Sequence, residues 1–470
     1  MLIGFVALYL LLSIALGVFA ATKVSTSKDY VTAGRSLPMV VVVAMVFATW
    51  FGAETVLGIP GTFVDENLGG LISDPFGAAF CLIFFGLFFA RPLYKRNLLT
   101  IGDFYRDRFG RNVEIAIGLA IAISYLGWVS AQITALGLVL NVLTGNLISM
   151  NAGIAIGAAI ILIYTLFGGM WSVAITTFVQ MIVIVLGLLW ISSMVSDMTG
   201  GVAPVIEHAQ AAGKFEFWPD WDLAAIVTFI AGFLTMGLGS IPQQDVFQRA
   251  NAAKNEKIAV WGTVLGGVAY FAFAAIPLYL AYSAFIIAPE MSAQLMETDA
   301  QLVLPNLILN HLPVYAQIIF FGALLSVIMS TASGTLLAPA VTLSENVIRP
   351  LMAHRFKDEQ FLWLMRGTVA LFAILVTVYA LWSQVQQTTI HQMVESAYKV
   401  TLVMAMVPLV AGIYWKRANN QGATWSIIFG LVVWLPLEFI IPEFPLPPHF
   451  MGFIAAIVGM IAGSLIGHKK

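Results

Sequence analysis

Thirteen long, mostly apolar runs follow one another along the chain, near 2–21, 38–61, 69–90, 112–143, 150–168, 172–196, 223–246, 258–288, 313–347, 361–382, 389–414, 422–441 and 447–467. A helix that crosses a bilayer needs about 20 such residues. The polar stretches between the runs are too short to form a separate domain. The pattern predicts one all-α polytopic membrane domain over residues 1–470, with thirteen transmembrane helices.

Two runs are interrupted. The second reads ATWFGAETVLGIPG, with Gly52, Gly58, Pro60 and Gly61 around a charged Glu54. The seventh reads TMGLGSIPQQDVFQR, with Gly237, Gly239 and Pro242 leading into Gln243, Gln244 and Asp245. Backbone freed from a helix in lipid is tolerated only where it is buried in protein or lines a cavity. If the second run counts as the first of ten, the broken helices are numbers one and six. Paired breaks near 52–58 and 237–243, at matching places in two halves, point to an inverted-repeat transporter with a midplane site. Plain Gly/Pro kinking is the alternative, and the polar residues in both breaks weigh against it.

Composition agrees with the pattern. Of 470 residues, 60% are apolar and only 10% are charged, against about 25% charged in an ordinary soluble domain. The lipid bilayer is therefore the expected partner. A net charge of −2 suggests no nucleic-acid partner. The lone Cys81 allows neither an intrachain disulfide nor a cysteine metal cluster. Met1 leads straight into apolar residues without a basic segment, so no cleavable signal is expected.

The placement of the charges suggests an orientation. With the N-terminus outside, every Lys and Arg except Lys214 and Lys399 falls at the inner ends of the runs. These include Arg35, Arg91, Arg106, Arg249, Arg355, Lys469 and Lys470. Outer segments carry Asp65, Glu66, Glu207, Glu290 and Asp299 instead. By the positive-inside rule this predicts a plasma-membrane protein of the bacterial inner type, N-terminus outside and C-terminus cytoplasmic. The basic segment RPLYKRNLLTIGDFYRDRFGRN reads as topogenic charge, its Asp103 and Asp107 pairing with neighbouring arginines.

The segments ATWFGAETVLGIPG, GLFFARP, TIGDFYRDRFG, YTLFGGMWSVAITTFVQ, GSIPQQDVFQRANAAK and GALLSVIMSTASGTLLAPA together resemble the sodium:solute symporter family over residues 1 to about 440. The texture is nearest to its choline-transporter branch. The resemblance implies a leucine-transporter-type 5+5 inverted repeat. An extra helix over 1–21 would precede repeats over 38–196 and 223–414, with two C-terminal helices over 422–467. It also implies sodium as coupling ion, a small organic solute (amino acid, quaternary amine or small carboxylate) and no organic cofactor.

Carried over position by position, the resemblance places sodium on the carbonyls of Ala48, Phe51 and Val327 and the hydroxyls of Ser330 and Thr331. Sodium is a hard cation suited to such oxygens. The plain alternative for Ser330 and Thr331 is a bond to their own helix backbone. The family's usual T-D-x-x-Q stretch is Thr176–Gln180 here, with Thr177 in the acid's place. With Val327 where a second Ser is usual, this implies one sodium only.

The solute site is expected between the two breaks, lined by Trp50, Glu54, Thr55, Trp128, Gln132, Gln243 and Gln244. Trp128 and Gln132 are four apart and share a helix face. By the same resemblance, Trp50 and Trp128 stand at positions that form two walls of an aromatic cage in choline transporters, a cage that suits quaternary ammonium. The third wall is Gln243, which suits a ligand with a hydrogen-bonding group. Anchoring at the lipid interface is the alternative for the tryptophans.

Glu54, Glu395 and Lys399 are intramembrane charges by position and should be paired, protonated or wet. Glu395 and Lys399 are spaced for an ion pair on one helix. Lys399 could instead reach Glu54 or a solute carboxylate, or replace a cation in a proton-linked or sodium-independent cycle. A channel would need a continuous polar stripe that is absent. An enzyme would need an H-E-x-x-H or similar motif, and the six histidines form none. A sensor on a transporter fold remains an alternative.

Overall fold

Short polar side chains at the borders of the apolar runs start the helices of the computed structural model, which describes residues 2–352, 356–441 and 444–466. Ser149, Asp222, Asn255, Thr389 and Asn419 each accept a hydrogen bond from a backbone N–H in the first turn that follows. These bonds satisfy donors that a helix start leaves free. Leaving aside short connecting helices, the order is α1 (Leu2–Ala20), α2 (Met39–Trp50), α3 (Ile59–Asp65), α4 (Ala78–Phe84), α5 (Ile101–Phe109), α6 (Arg111–Leu143), α7 (Met150–Thr199) and α8 (Leu223–Gly237). Then come α9 (Gln244–Asn251), α10 (Glu256–Ile287), α11 (Val314–Thr342), α12 (Asp358–Val385), α13 (Ile390–Thr401), α14 (Val407–Tyr414), α15 (Asn420–Phe439) and α16 (Pro448–Ile466). Among the described residues there is no strand, only an isolated bridge between Leu37 and Ala253.

Among the described residues, ten helical segments are long and apolar enough to cross a membrane, or eleven if a pair bent by 53° between Met39–Trp50 and Glu54–Asp65 counts as one span. This is fewer than the thirteen expected, for two physical reasons. The runs at 150–168 and 172–196 form two helices that abut with no loop between them, so they make one segment, α7, whose backbone leaves helical geometry at Gly169 (φ +49°, ψ −137°). A Cβ there would meet the Tyr30 carbonyl oxygen at 2.5 Å, so this left-handed position needs glycine. The run at 223–246 splits into the 15-residue α8 and the short α9, neither long enough to span alone.

α11 is the central element. It packs against both α6 and α7, and its residues from Phe320 to Thr342 are almost all buried, polar ones included. α2 packs on α10 and α7, α13 on α6, and α1 along α7. α15 and α16 pack mainly on each other. Arg106 joins Asp103 at 2.9 Å and Asp107 at 3.3 Å, as the sequence suggested. Lys214 donates to the carbonyls of Val64 and Glu66 at the C-terminal end of α3. Arg249 departs from expectation. It is no surface cation but fully buried, its guanidinium drawn onto α2. Arg355, Lys469 and Lys470 lie outside the described residues, as do His354 and His468.

Candidate functional site: two helix breaks around a buried centre

The first break falls at Phe51–Ala53, slightly earlier than the sequence suggested. α2 ends at Trp50, Phe51 leaves helical geometry (φ −72°, ψ 72°), and a π-helical turn over Glu54–Gly58 leads into α3. Side chains satisfy the freed backbone. The Ala53 N–H donates to Gln132 Oε1 at 3.0 Å, and the Thr55 hydroxyl donates to the Trp50 carbonyl at 2.8 Å. The Thr331 hydroxyl lies 3.0 Å from the Ala48 carbonyl oxygen and 3.3 Å from that of Phe51. Three of the five expected cation ligands are thus brought together. Ser330 instead donates to the Val327 carbonyl at 2.9 Å within its own helix, so the remaining two meet each other. Thr177 is buried and its hydroxyl has no hydrogen-bond partner.

The second break runs from Gly237 to Gln243. The Thr401 hydroxyl donates to the Gly239 carbonyl at 2.6 Å, tying the break to α13. Gln243 donates to Ser124 at 3.0 Å and to Thr401 at 3.2 Å. Gln244 points elsewhere, accepting from the Ile101 N–H at the start of α5 at 2.8 Å.

Trp50 and Trp128 stack between the breaks with ring centroids 4.8 Å apart. Tyr398 meets both edge-on, at 5.5 and 5.6 Å, and Tyr125 stacks on Trp128 at 5.7 Å. All four are fully buried, so neither tryptophan is a lipid-interface anchor. The Trp50 indole N–H and the Tyr398 hydroxyl lack hydrogen-bond partners.

Buried acids surround this cluster. Glu54 Oε2 accepts from Gln132 Nε2 at 2.7 Å, while Oε1 has no partner. Asp74 accepts from the Tyr270 hydroxyl, which lies 3.5 Å from that of Thr55. Asp245 accepts from the Tyr125 hydroxyl. Asp74 Oδ2 and Asp245 Oδ2 are also unpartnered. Asp74, Tyr270, Tyr125, Tyr398, Ser124 and Thr401 were not singled out from sequence. Asp74 could have been, because an acid inside an apolar run is itself a signal.

Glu395 and Lys399 are not in this centre. Both are half-buried on the wall of a cavity of about 1780 Å³. Lys399 Nζ lies 3.9 Å from Glu438 Oε1, so its ion-pair partner is Glu438, not Glu395 or Glu54. Asp65, Glu66, Asp220, Asp222 and Asp299 also line this cavity, beside Gly58 and Gly61 of the first broken helix. Among the described residues no cluster of His, Cys, Asp and Glu is arranged to hold a metal ion.

The chain is similar to known membrane transporters. A model of the sodium:solute symporter family matches residues 30–430. The chain is 27% identical over 451 residues to the human (Homo sapiens) high affinity choline transporter 1, covering 92% of this chain and 75% of that one. It is 24% identical over 452 residues to the osmoregulated proline transporter OpuE of Bacillus subtilis (strain 168), covering 91% and 87%. Its fold matches that of a Na+-coupled sialic acid symporter solved in a substrate-bound outward-open state, with a TM-score of 0.84 at 20% identity over 99% of this chain and 97% of that one. It also matches MHP1, a nucleobase-cation-symport-1 family transporter, at a TM-score of 0.62 and 15% identity over 93% and 94%. This integral membrane protein, a transporter and not an enzyme, belongs to the sodium:solute symporter family.

Proposed function

We propose that the chain couples the inward movement of one sodium ion to that of a small organic solute, by alternating access about the two helix breaks. The observation that carries this reading is the Thr331 hydroxyl reaching the Ala48 and Phe51 carbonyls across the first break. Sodium would take these three oxygens together with the Val327 carbonyl and the Ser330 hydroxyl, which turns away from its own helix to do so.

The solute site is the aromatic cluster of Trp50 and Trp128, with Glu54, Thr55 and Gln132 on one break and Gln243 on the other. The stacked tryptophans part to admit the solute. Around this centre three carboxyl groups, those of Glu54, Asp74 and Asp245, and one guanidinium, that of Arg249, are buried. This balance supports a solute bearing a positively charged nitrogen, an amino acid or a quaternary amine, over a small carboxylate, because buried charge must be compensated. The acidic cavity supports the same choice.

The architecture that fits is a 5+5 inverted repeat with thirteen spans, one over 1–21 before the repeats and two over 422–467 after them. α7 would count as two spans, bent at Gly169, and α8 with α9 as one. The acidic cavity then faces outside and Arg35 the cytoplasm, across a plasma membrane.

A screen of amino acids, betaines and simple amines by thermal shift, with and without sodium, identifies the solute. Counterflow of that labelled solute in proteoliposomes then tests transport. Sodium-dependent counterflow supports the reading, and its absence for every solute that stabilises the protein contradicts it.

A further inference from the structure

Arg249 is the largest charge in the protein interior that solute and sodium binding leave unexplained. It lies in α9, just beyond the second break, and is fully buried. Its Nη1 donates to the Thr49 hydroxyl at 3.0 Å and to the Met45 carbonyl. Met45 is one helical turn from Ala48, toward the Arg35 end of α2. On the facing helix, Nη2 lies against Gly334, where a Cβ would meet it at 2.1 Å. Gly334 is one turn from Thr331, toward the same end of the molecule. The guanidinium therefore sits across α2 and α11, about one helical turn from Ala48 and Thr331. The large cavity lies at the other end of the broken helix, lined by Gly58, Gly61 and Asp65.

We propose that Arg249 is the plug on the Arg35 side of the cation site, and that sodium leaves on that side only when the guanidinium withdraws. Two further observations fit this role. Nε and Nη2 of Arg249 have no hydrogen-bond partner, so the seat is incomplete and can be vacated. Asp245, four residues earlier on the same helix, has a free Oδ2 that can receive the guanidinium. A positive charge fixed one turn from the site also repels a cation moving toward it, most strongly where the surroundings are dry. The plug thus keeps sodium from crossing without solute. The proposal rests on sodium occupying the Ala48, Phe51 and Thr331 oxygens.

The test is the flux of radioactive sodium into proteoliposomes without solute, for folded, monodisperse protein. Arg249→Gln removes the charge, while Gly334→Ala keeps it but fills its seat. Both are expected to raise the solute-free sodium leak about tenfold or more, the factor carried by one charge-assisted hydrogen bond. Arg249→Lys, which keeps a charged donor, is expected to restore a low leak. Sodium affinity in Arg249→Gln should not fall, because a like charge has gone. If Gly334→Ala does not fold, Thr49→Val, which removes the hydroxyl acceptor, takes its place. A wild-type leak in Arg249→Gln and in Gly334→Ala or its replacement overturns the proposal. So does a leak in Arg249→Gln alone. Thr331→Ala separates the two claims: unchanged sodium affinity there sinks the cation site itself, whatever Arg249 does.

Discussion

The side chain of Gln132 holds the buried Glu54 and the backbone of the first helix break at once, accepting from the Ala53 N–H at 3.0 Å and donating to Glu54 Oε2 at 2.7 Å. One amide thus fixes both the shape of the break and the position of its acid. Gln132→Leu strands a buried N–H and a buried carboxylate oxygen. Each unsatisfied group costs about 1–3 kcal/mol, more where it is charged. A clear fall in detergent melting temperature and loss of solute binding are expected. Gln132→Glu sets two carboxyls side by side, which cannot both ionise. Transport by that variant should survive at acidic pH and fail as pH rises. Initial uptake rates across a pH series check this.

Trp50 and Trp128 are in direct ring contact, and Tyr398 closes on both. Solute entering between them must break a stacked pair worth about 0.5–1.5 kcal/mol beyond its buried area. Trp50→Phe and Trp128→Phe should each weaken solute binding and change the fluorescence response to solute. Equilibrium binding measured at saturating sodium is the check. Unchanged affinity in both variants would place the solute elsewhere.

Lys399 pairs with Glu438 at the cavity wall, each side chain about a quarter exposed. Such a pair contributes roughly 0–1 kcal/mol. Lys399→Gln should therefore leave sodium-driven transport at a rate similar to wild type. Loss of coupling in that variant would instead favour a cycle in which the lysine takes the place of a cation.

Gly169 turns α7 with φ +49°, and a Cβ there would meet the Tyr30 carbonyl oxygen at 2.5 Å. Gly169→Ala should destabilise the fold by more than about 1 kcal/mol, since both the conformation and the space are wrong for a side chain. Thermal melting of the purified protein reads this directly.

Much of the centre is legible from sequence because helix breaks in lipid are written in residue type. Gly52, Gly237, Gly239 and Pro242 announce unwound backbone, and the polar residues beside them announce what satisfies it. Local spacing reads less well where the answer depends on packing between distant helices. Arg249 sits near Lys254 and Lys257 and so looks like another inner cation, although its placement four residues after Asp245, one turn along the same helix, was a clue to its burial. Tyr125, Tyr270 and Tyr398 look like ordinary aromatic residues in apolar runs. Only the fold brings their hydroxyls and rings to Asp245, Asp74 and the tryptophans. The same holds for Lys399, whose partner Glu438 lies on a separate helix. The span count differs because the two runs that hydropathy separates abut directly at the non-helical Gly169, with no loop to divide them into two segments.

Sodium binding to purified Thr331→Ala, compared with wild type and with Thr331→Ser, tests the cation site most directly. Thr331→Ala is expected to lower apparent sodium affinity by about tenfold or more, the scale of one lost oxygen contact to an ion, while Thr331→Ser keeps it within a few-fold. Wild-type sodium affinity in folded Thr331→Ala would contradict sodium binding between Ala48, Phe51 and Thr331.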